Sequence, residues 1–292
     1  MVPRSLIRNG WTVWHVVAAT VLGALGMIAT SAAWHDIALR AWNDEEQSHI
    51  LLVPIVAAWL IYVRRDRFRH CRPTASFVGP ALIAIGWFLF SCGDLENILA
   101  FWHGGAVLLV LGCILTVLGR EVIWAFLPAI AVLGFLVPVP GRLRAYVAIG
   151  LEDVTAQVTQ VLLEVFGVAV ERSGNLLSVH GTPVTIAEAC NGLRMVFALV
   201  LVSFAFSFGT PLRNYVRVLI VAASPVSAIV CNVIRLVPTV WVYGNYPQAV
   251  GKAFHDISGW LMLPIAFLLL MGIIRILRWA LVPVTRFTLV YD

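Results

Sequence analysis

The chain has 292 residues, of which 61% are hydrophobic and only 12% charged, with a formal net charge of +5. Soluble domains carry about 25% charged residues, so a water-soluble globular fold is excluded and lipid must solvate much of the apolar surface. The apolar runs are too long and continuous for the alternating segments of about 10 residues that build a membrane β-barrel. The class that remains is an all-α polytopic membrane protein.

Eight stretches are candidates to span the bilayer, each needing about 20 mostly apolar residues. In chain order they are Trp11–Trp34, Ile50–Val63, Phe77–Cys92, Ile98–Leu118, Val122–Val139, Leu193–Phe208, Tyr215–Leu236 and Ile257–Ile276. The first follows a basic start, "MVPRSLIRNG", that looks like a signal peptide, but no small-residue cleavage site ends it, so it reads as a retained helix. Charge sets the orientation. With a cytoplasmic N-terminus, Arg4, Arg8, the cluster "RRDRFRHCR", Arg120, Arg213, Arg217, Arg275, Arg278 and Arg286 all fall inside, while "NDEEQS" and "GDLEN" face out. An inside excess of Lys and Arg is the rule for such loops. Both termini are then cytoplasmic, in a bacterial inner membrane, and the +5 reflects orientation and not a nucleic-acid partner.

Residues 139–192 do not fit the membrane and fall on the outer, periplasmic or extracellular face of what reads as one integral membrane domain, 1–292. Within them Val147, Leu151, Val154, Val158, Val161 and Val165 recur at steps of three and four, one apolar stripe on a helix, with Glu152, Asp153, Gln157, Gln160 and Glu164 elsewhere around it. Such a helix lies on the membrane surface or caps the bundle. Turn signals at Ser173-Gly174-Asn175 and at Gly181 then bracket short strand-like runs, Leu176–Val179 and Val184–Ile186, a small β-hairpin leading to Cys190.

Three residues carry candidate chemistry. Cys190 precedes the sixth apolar helix, whose exposed N–H groups and positive dipole end favour a thiolate. The plain alternative is a structural thiol beside a snorkelling arginine, Arg194. Arg235 reads as the outer end of the seventh helix, with Asn232 one turn below it; a buried amide and guanidinium need partners, which points to a polar pocket. His255 reads as the start of the eighth helix, with Asp256 as a helix cap. His180 and His49 are rival imidazoles on the same face. Topology places Cys190, Arg235 and His255 together at the outer membrane face. A thiolate, an imidazole titrating near neutrality and a fixed guanidinium suffice for acyl transfer from a peptide carbonyl. Glu188, Asn191, Arg194, Asn232 and His49 are candidate pocket-lining residues. The five cysteines show no CxxC pair and no metal-ligand spacing, so neither a metal nor a cofactor is expected; a Cys190–Cys231 disulfide is an alternative use of the thiol.

At these residues the sequence resembles the exosortase/archaeosortase family of multi-pass membrane cysteine enzymes. The cysteine motif is matched by "ACNGLR" at Ala189–Arg194, the arginine motif N-x-x-R by Asn232 to Arg235, and the histidine motif H-D-x-x-G-W by His255 to Trp260. The early "SHILLVP", Ser48 to Pro54, is similar to the family's Ser-His-Gly-x-x-x-P stretch, with Ile50 where glycine is commoner. The resemblance implies Cys190 as nucleophile, Arg235 as oxyanion stabiliser and His255 as general acid/base. It implies secreted substrates whose C-terminal tail holds a short PEP-like motif, an apolar helix and basic residues. Besides these tails the expected surroundings are membrane lipids, with no nucleic acid; nothing in the sequence sets the oligomeric state. Two other classes compete: a membrane acyltransferase or intramembrane protease, which needs a metal site or carboxylate pair that the helices lack, and a transporter or export scaffold, for which Pro225 in mid-helix is the one mild sign.

Overall fold

The computed structural model describes residues 10–74, 76–185 and 192–279. Among them the chain is helical apart from one small sheet, and it divides after Pro140 into two compact units. Five helices are long and apolar enough to cross a membrane, or up to seven if each of two bent pairs counts as one span. The multi-pass α-helical class stands; the expected count of eight is not reached among the described residues.

In the first unit, α1 (Val13–Ala29) and α2 (Ser31–Asn43) replace the single first helix expected from hydropathy. The chain bends by 79° between them. Thr30 sits at the bend, fully buried, its hydroxyl donating to the Gly26 carbonyl and accepting from Trp34 Nε1. A 3-10 segment, Glu45–Leu52, leads into α3 (Val53–Val63), and the basic cluster forms a second 3-10 segment at Arg65–His70. Then come α4 (Val78–Leu95), α5 (Leu99–Leu118), α6 (Arg120–Ala131) and a last 3-10 turn, Val132–Leu136. Asp36 of α2 accepts from Arg40 Nε at 2.6 Å and from His103 Nε2 of α5 at 2.9 Å, which pairs the buried imidazole of α5.

The tightest joint of this unit is the α4–α5 hairpin. Gly79, Gly86 and Gly93 recur every seven residues on α4; Gly79 meets Gly112 and Gly86 meets Gly105 on α5 backbone to backbone, while Gly93 meets the Trp102 backbone. Where lipid supplies no hydrophobic force between helices, small residues permit the close van der Waals contact that holds them. The turn is closed by Asn97 in the left-handed region (φ 54°) and by Ile98 N–H donating to the Gly93 carbonyl, as in a Schellman motif. A Cβ at Gly105 would stand 2.3 Å from the Phe90 backbone nitrogen, whereas one at Gly104 would meet only Val137 side-chain carbons at 3.7 Å. Gly105→Ala is therefore expected to weaken the fold by about 3 kcal/mol, the upper range for overpacking, while Gly104→Ala leaves it unchanged. Unfolding in mixed detergent micelles measures both.

The second unit opens with α7 (Gly141–Val165), where the sequence spacing predicts an amphipathic helix. Its buried face is not the apolar stripe. Thr155, Ala156, Thr159 and Leu163 point inward, and Val147, Val154, Val158, Val161 and Val165 are exposed. Of the stripe, Leu151 alone is half-buried. Strands β1 (Val170–Ser173), β2 (Leu176–Val179) and β3 (Thr182–Thr185) form an antiparallel meander, one strand more than the expected hairpin. Gly174 supplies the positive φ (63°) of the first turn, and His180 and Gly181 (51° and 77°) that of the second. His180 is thus a turn residue. Val170, Leu177, Val179 and Val184 pack with Ala156 and Leu163 of α7 and with Leu236 and Val240 further along the chain.

Three helices complete the unit: α8 (Gly192–Gly209), α9 (Asn214–Asn245) and α10 (Gln248–Trp279). The last two have 32 residues each, about 48 Å at the helical rise. The hydrocarbon core is about 30 Å thick, so both are long enough to extend past it. Hydropathy sees only the lipid-solvated part, which is why the expected helices ended at Leu236 and began at Ile257. Pro225 lies inside α9 without ending it. The Val221 carbonyl, which the proline cannot serve, accepts from the Ser224 hydroxyl at 2.7 Å.

Candidate active site

Cys190, Asn191 and Glu188 lie outside the described residues, so the site is built from the groups that flank them. Gly192 is the first described residue of α8 and is buried. A Cβ there would stand 2.9 Å from Asn232 Nδ2 of α9 and 3.1 Å from Leu151 Cδ2 of α7. Glycine is what lets three elements meet two residues after the cysteine. Asn232 is 2% exposed, and its Oδ1 accepts no hydrogen bond among the described residues. A buried amide acceptor without a partner is unfavourable by itself, and it marks a place where a donor is wanted.

Arg235 follows one turn later on the same helix. Its side chain is 8% exposed, and Thr239 ties this turn by donating from Oγ1 to the Arg235 carbonyl at 2.7 Å. The expectation that Arg235 ends its helix is corrected: α9 continues for ten more residues, stabilised by the sheet packed on its last turns. The guanidinium reaches across to α10, where Nη1 stands 3.1 Å from the position a Cβ at Gly259 would take. Arginine fits such a position because its charge is permanent and its donors form a rigid fork.

His255 lies one turn before Gly259 on α10, so the imidazole and the guanidinium belong to adjoining turns of two packed helices. Here too the expected placement is corrected. The helix begins at Gln248, so His255 is two turns inside it and Asp256 caps nothing. His255 Nδ1 instead lies 3.0 Å from Asp256 Oδ1.

Gly192, Asn232, Arg235, Gly259 and His255 therefore form one continuous run of contacts and adjoining turns through α8, α9 and α10. Arg194 is half-buried on the first turn of α8. His49 belongs to the first unit, where it is buried and its Nδ1 donates to the Glu46 carbonyl at 3.1 Å. Cys231 is a free thiol, fully buried among Met195, Leu199 and Ala228, and so makes no disulfide. Gly259 was not singled out from the sequence, although its spacing in H-D-x-x-G, one turn from the histidine, is the signal that marks it. Among the described residues no group of three or more His, Cys, Asp or Glu is placed to hold a metal ion.

No curated protein and no solved structure matches the chain. A family model does, over residues 41–272, and that stretch takes in every motif just described. Its description is transmembrane exosortase (Exosortase_EpsH), and the chain belongs to that family.

Proposed function

We propose that the protein is a membrane cysteine transpeptidase or protease that cuts the C-terminal sorting tails of exported proteins. The tails carry a short PEP-like motif, an apolar helix and basic residues, and cleavage takes place at the outer face of the bacterial inner membrane, with both termini of the enzyme in the cytoplasm. The Cys190 thiol loses its proton to His255, and the sulfur attacks the scissile carbonyl. The guanidinium of Arg235 balances the charge that develops on the carbonyl oxygen. His255 returns the proton to the departing amine, the C–N bond breaks, and a thioester to Cys190 is left. Water or an acceptor amine then attacks the thioester, His255 takes the proton, and the thiol is restored. Asn232, whose buried oxygen accepts no hydrogen bond among the described residues, would accept a backbone N–H of the tail, and Glu188, Asn191 and Arg194 would line the same cleft.

The observation that carries this reading is the approach of the Arg235 guanidinium to Gly259, one turn from His255, on the helix whose Asn232 abuts Gly192. The reading is tested with a secreted reporter fused to such a tail and co-expressed with the full chain. The expected result is a shortened reporter and an acid-stable, hydroxylamine-sensitive acyl intermediate at Cys190. A reporter that stays full length with every tail encoded alongside this protein would overturn it.

A further inference from the structure

The contact between His255 and Asp256 has no part in the scheme above, and it is not a by-product of the helix. Consecutive residues on a helix do not face each other, so the 3.0 Å approach of Nδ1 to Oδ1 arises from the two rotamers leaning together. The role that usually explains an aspartate near a helix start is closed to Asp256, because α10 begins eight residues earlier. A competing partner is at hand and is not used. Lys252 stands one turn before Asp256 on the same side of the helix, yet makes no ion pair among the described residues. The groups near this turn are thus Asp256 and Lys252 on α10, with Arg235 reaching Gly259 and the Tyr243 ring lying over Gly251 from α9.

We infer that Asp256 is a positioning residue: it holds the His255 ring with Nδ1–H donated to its carboxylate, which leaves Nε2 as the proton acceptor for the Cys190 thiol. A neutral imidazole has one donor and one acceptor nitrogen, and the hydrogen bond made by one decides the role of the other. The carboxylate also stands beside the ring that takes up the thiol proton. Asp256 is well exposed, its side chain at 60%, and exposed charge pairs are worth little individually. The expected effect is therefore roughly fivefold, and not the several powers of ten seen for a buried orienting carboxylate. The inference rests on the proposed roles of Cys190 and His255, and the test separates the two.

The full-length protein in detergent micelles is treated with iodoacetamide over a range of pH, and alkylation of the Cys190 peptide is followed by mass spectrometry in the wild type, His255→Ala, Asp256→Ala and Asp256→Asn. Cys231, fully buried, stays unlabelled wherever the fold is intact. Asp256→Ala is expected to slow labelling roughly fivefold at neutral pH and to move its half-maximal rate to higher pH, with the high-pH plateau unchanged. A purely structural role would not give that pattern. Asp256→Asn keeps the acceptor oxygen but not the charge, so its midpoint falls between the two. A wild-type profile in Asp256→Ala, with slow labelling in His255→Ala, overturns the role of Asp256 alone. Wild-type labelling in His255→Ala overturns the underlying thiol–imidazole reading. Should Asp256→Ala expose Cys231, the Asp256→Asn profile decides: a raised midpoint supports the inference and an unchanged one overturns it.

Discussion

Replacing Cys190 by alanine is expected to abolish tail cleavage, with loss of at least about a thousandfold, while the protein still inserts and folds. A residue that supplies the attacking atom has no substitute in a stepwise acyl transfer. Water lacks both its position and its nucleophilicity, and without the thioester the single difficult step is no longer split into two. Cys190→Ser is expected to be nearly as damaging, since a hydroxyl holds its proton far more tightly than a thiol and sulfur is intrinsically the better nucleophile. The measurement is reporter processing in cells, paired with membrane fractionation and with the labelling state of Cys231. A Cys190→Ala protein that still shortens the reporter ends the assignment of Cys190 as nucleophile, whatever becomes of Arg235 and His255. One that fails to insert is instead judged on Cys190→Ser, which differs by a single atom.

The membrane class was legible at once, because 61% hydrophobic residues leave no soluble alternative. Helix α7 was legible from spacing, but not which of its faces packs. A periodic apolar stripe says that one side avoids water; in a membrane protein that side can be satisfied by lipid, and the inward face here is instead the small and hydroxyl-bearing Thr155, Ala156 and Thr159. Strand β1 escaped notice since "VERS" presents two charges in four residues, and only Val170 of the four is buried. The largest difference concerns two helix ends. Hydropathy placed Arg235 and His255 at helix tips, because it registers where lipid ends and not where hydrogen bonding ends. Both residues lie inside helices of 32 residues, held by backbone geometry on both sides. That placement changes the physical argument. Groups at frayed tips would have to be ordered by substrate, whereas groups set in mid-helix against a glycine are ordered beforehand, which is the arrangement that favours a transition state over a ground state.

The same geometry makes Arg235 the second large effect. Arg235→Lys preserves the charge and much of the apolar stem, yet it is expected to lower cleavage by about a hundredfold to a thousandfold, the range found when one oxyanion donor is removed. A lysine presents its donors on a single ammonium instead of a planar fork and is more strongly hydrated. It would therefore either fall short of the space beside Gly259 or draw water into it. Gly259 provides the matching probe from the opposite helix. Alanine there places a Cβ 3.1 Å from Nη1, a contact that the flexible end of an arginine relieves by shifting a few tenths of an ångström, so Gly259→Ala is expected to lose only about tenfold. Leucine occupies the space itself and is expected to match Arg235→Lys. Thermal unfolding should separate these losses from instability: both glycine variants are expected to keep a cooperative transition, because the added carbons meet a side-chain tip and not backbone. Cleavage by Gly259→Leu at the wild-type rate would mean that the guanidinium acts from elsewhere, and Arg235 would then lose its role at the carbonyl oxygen.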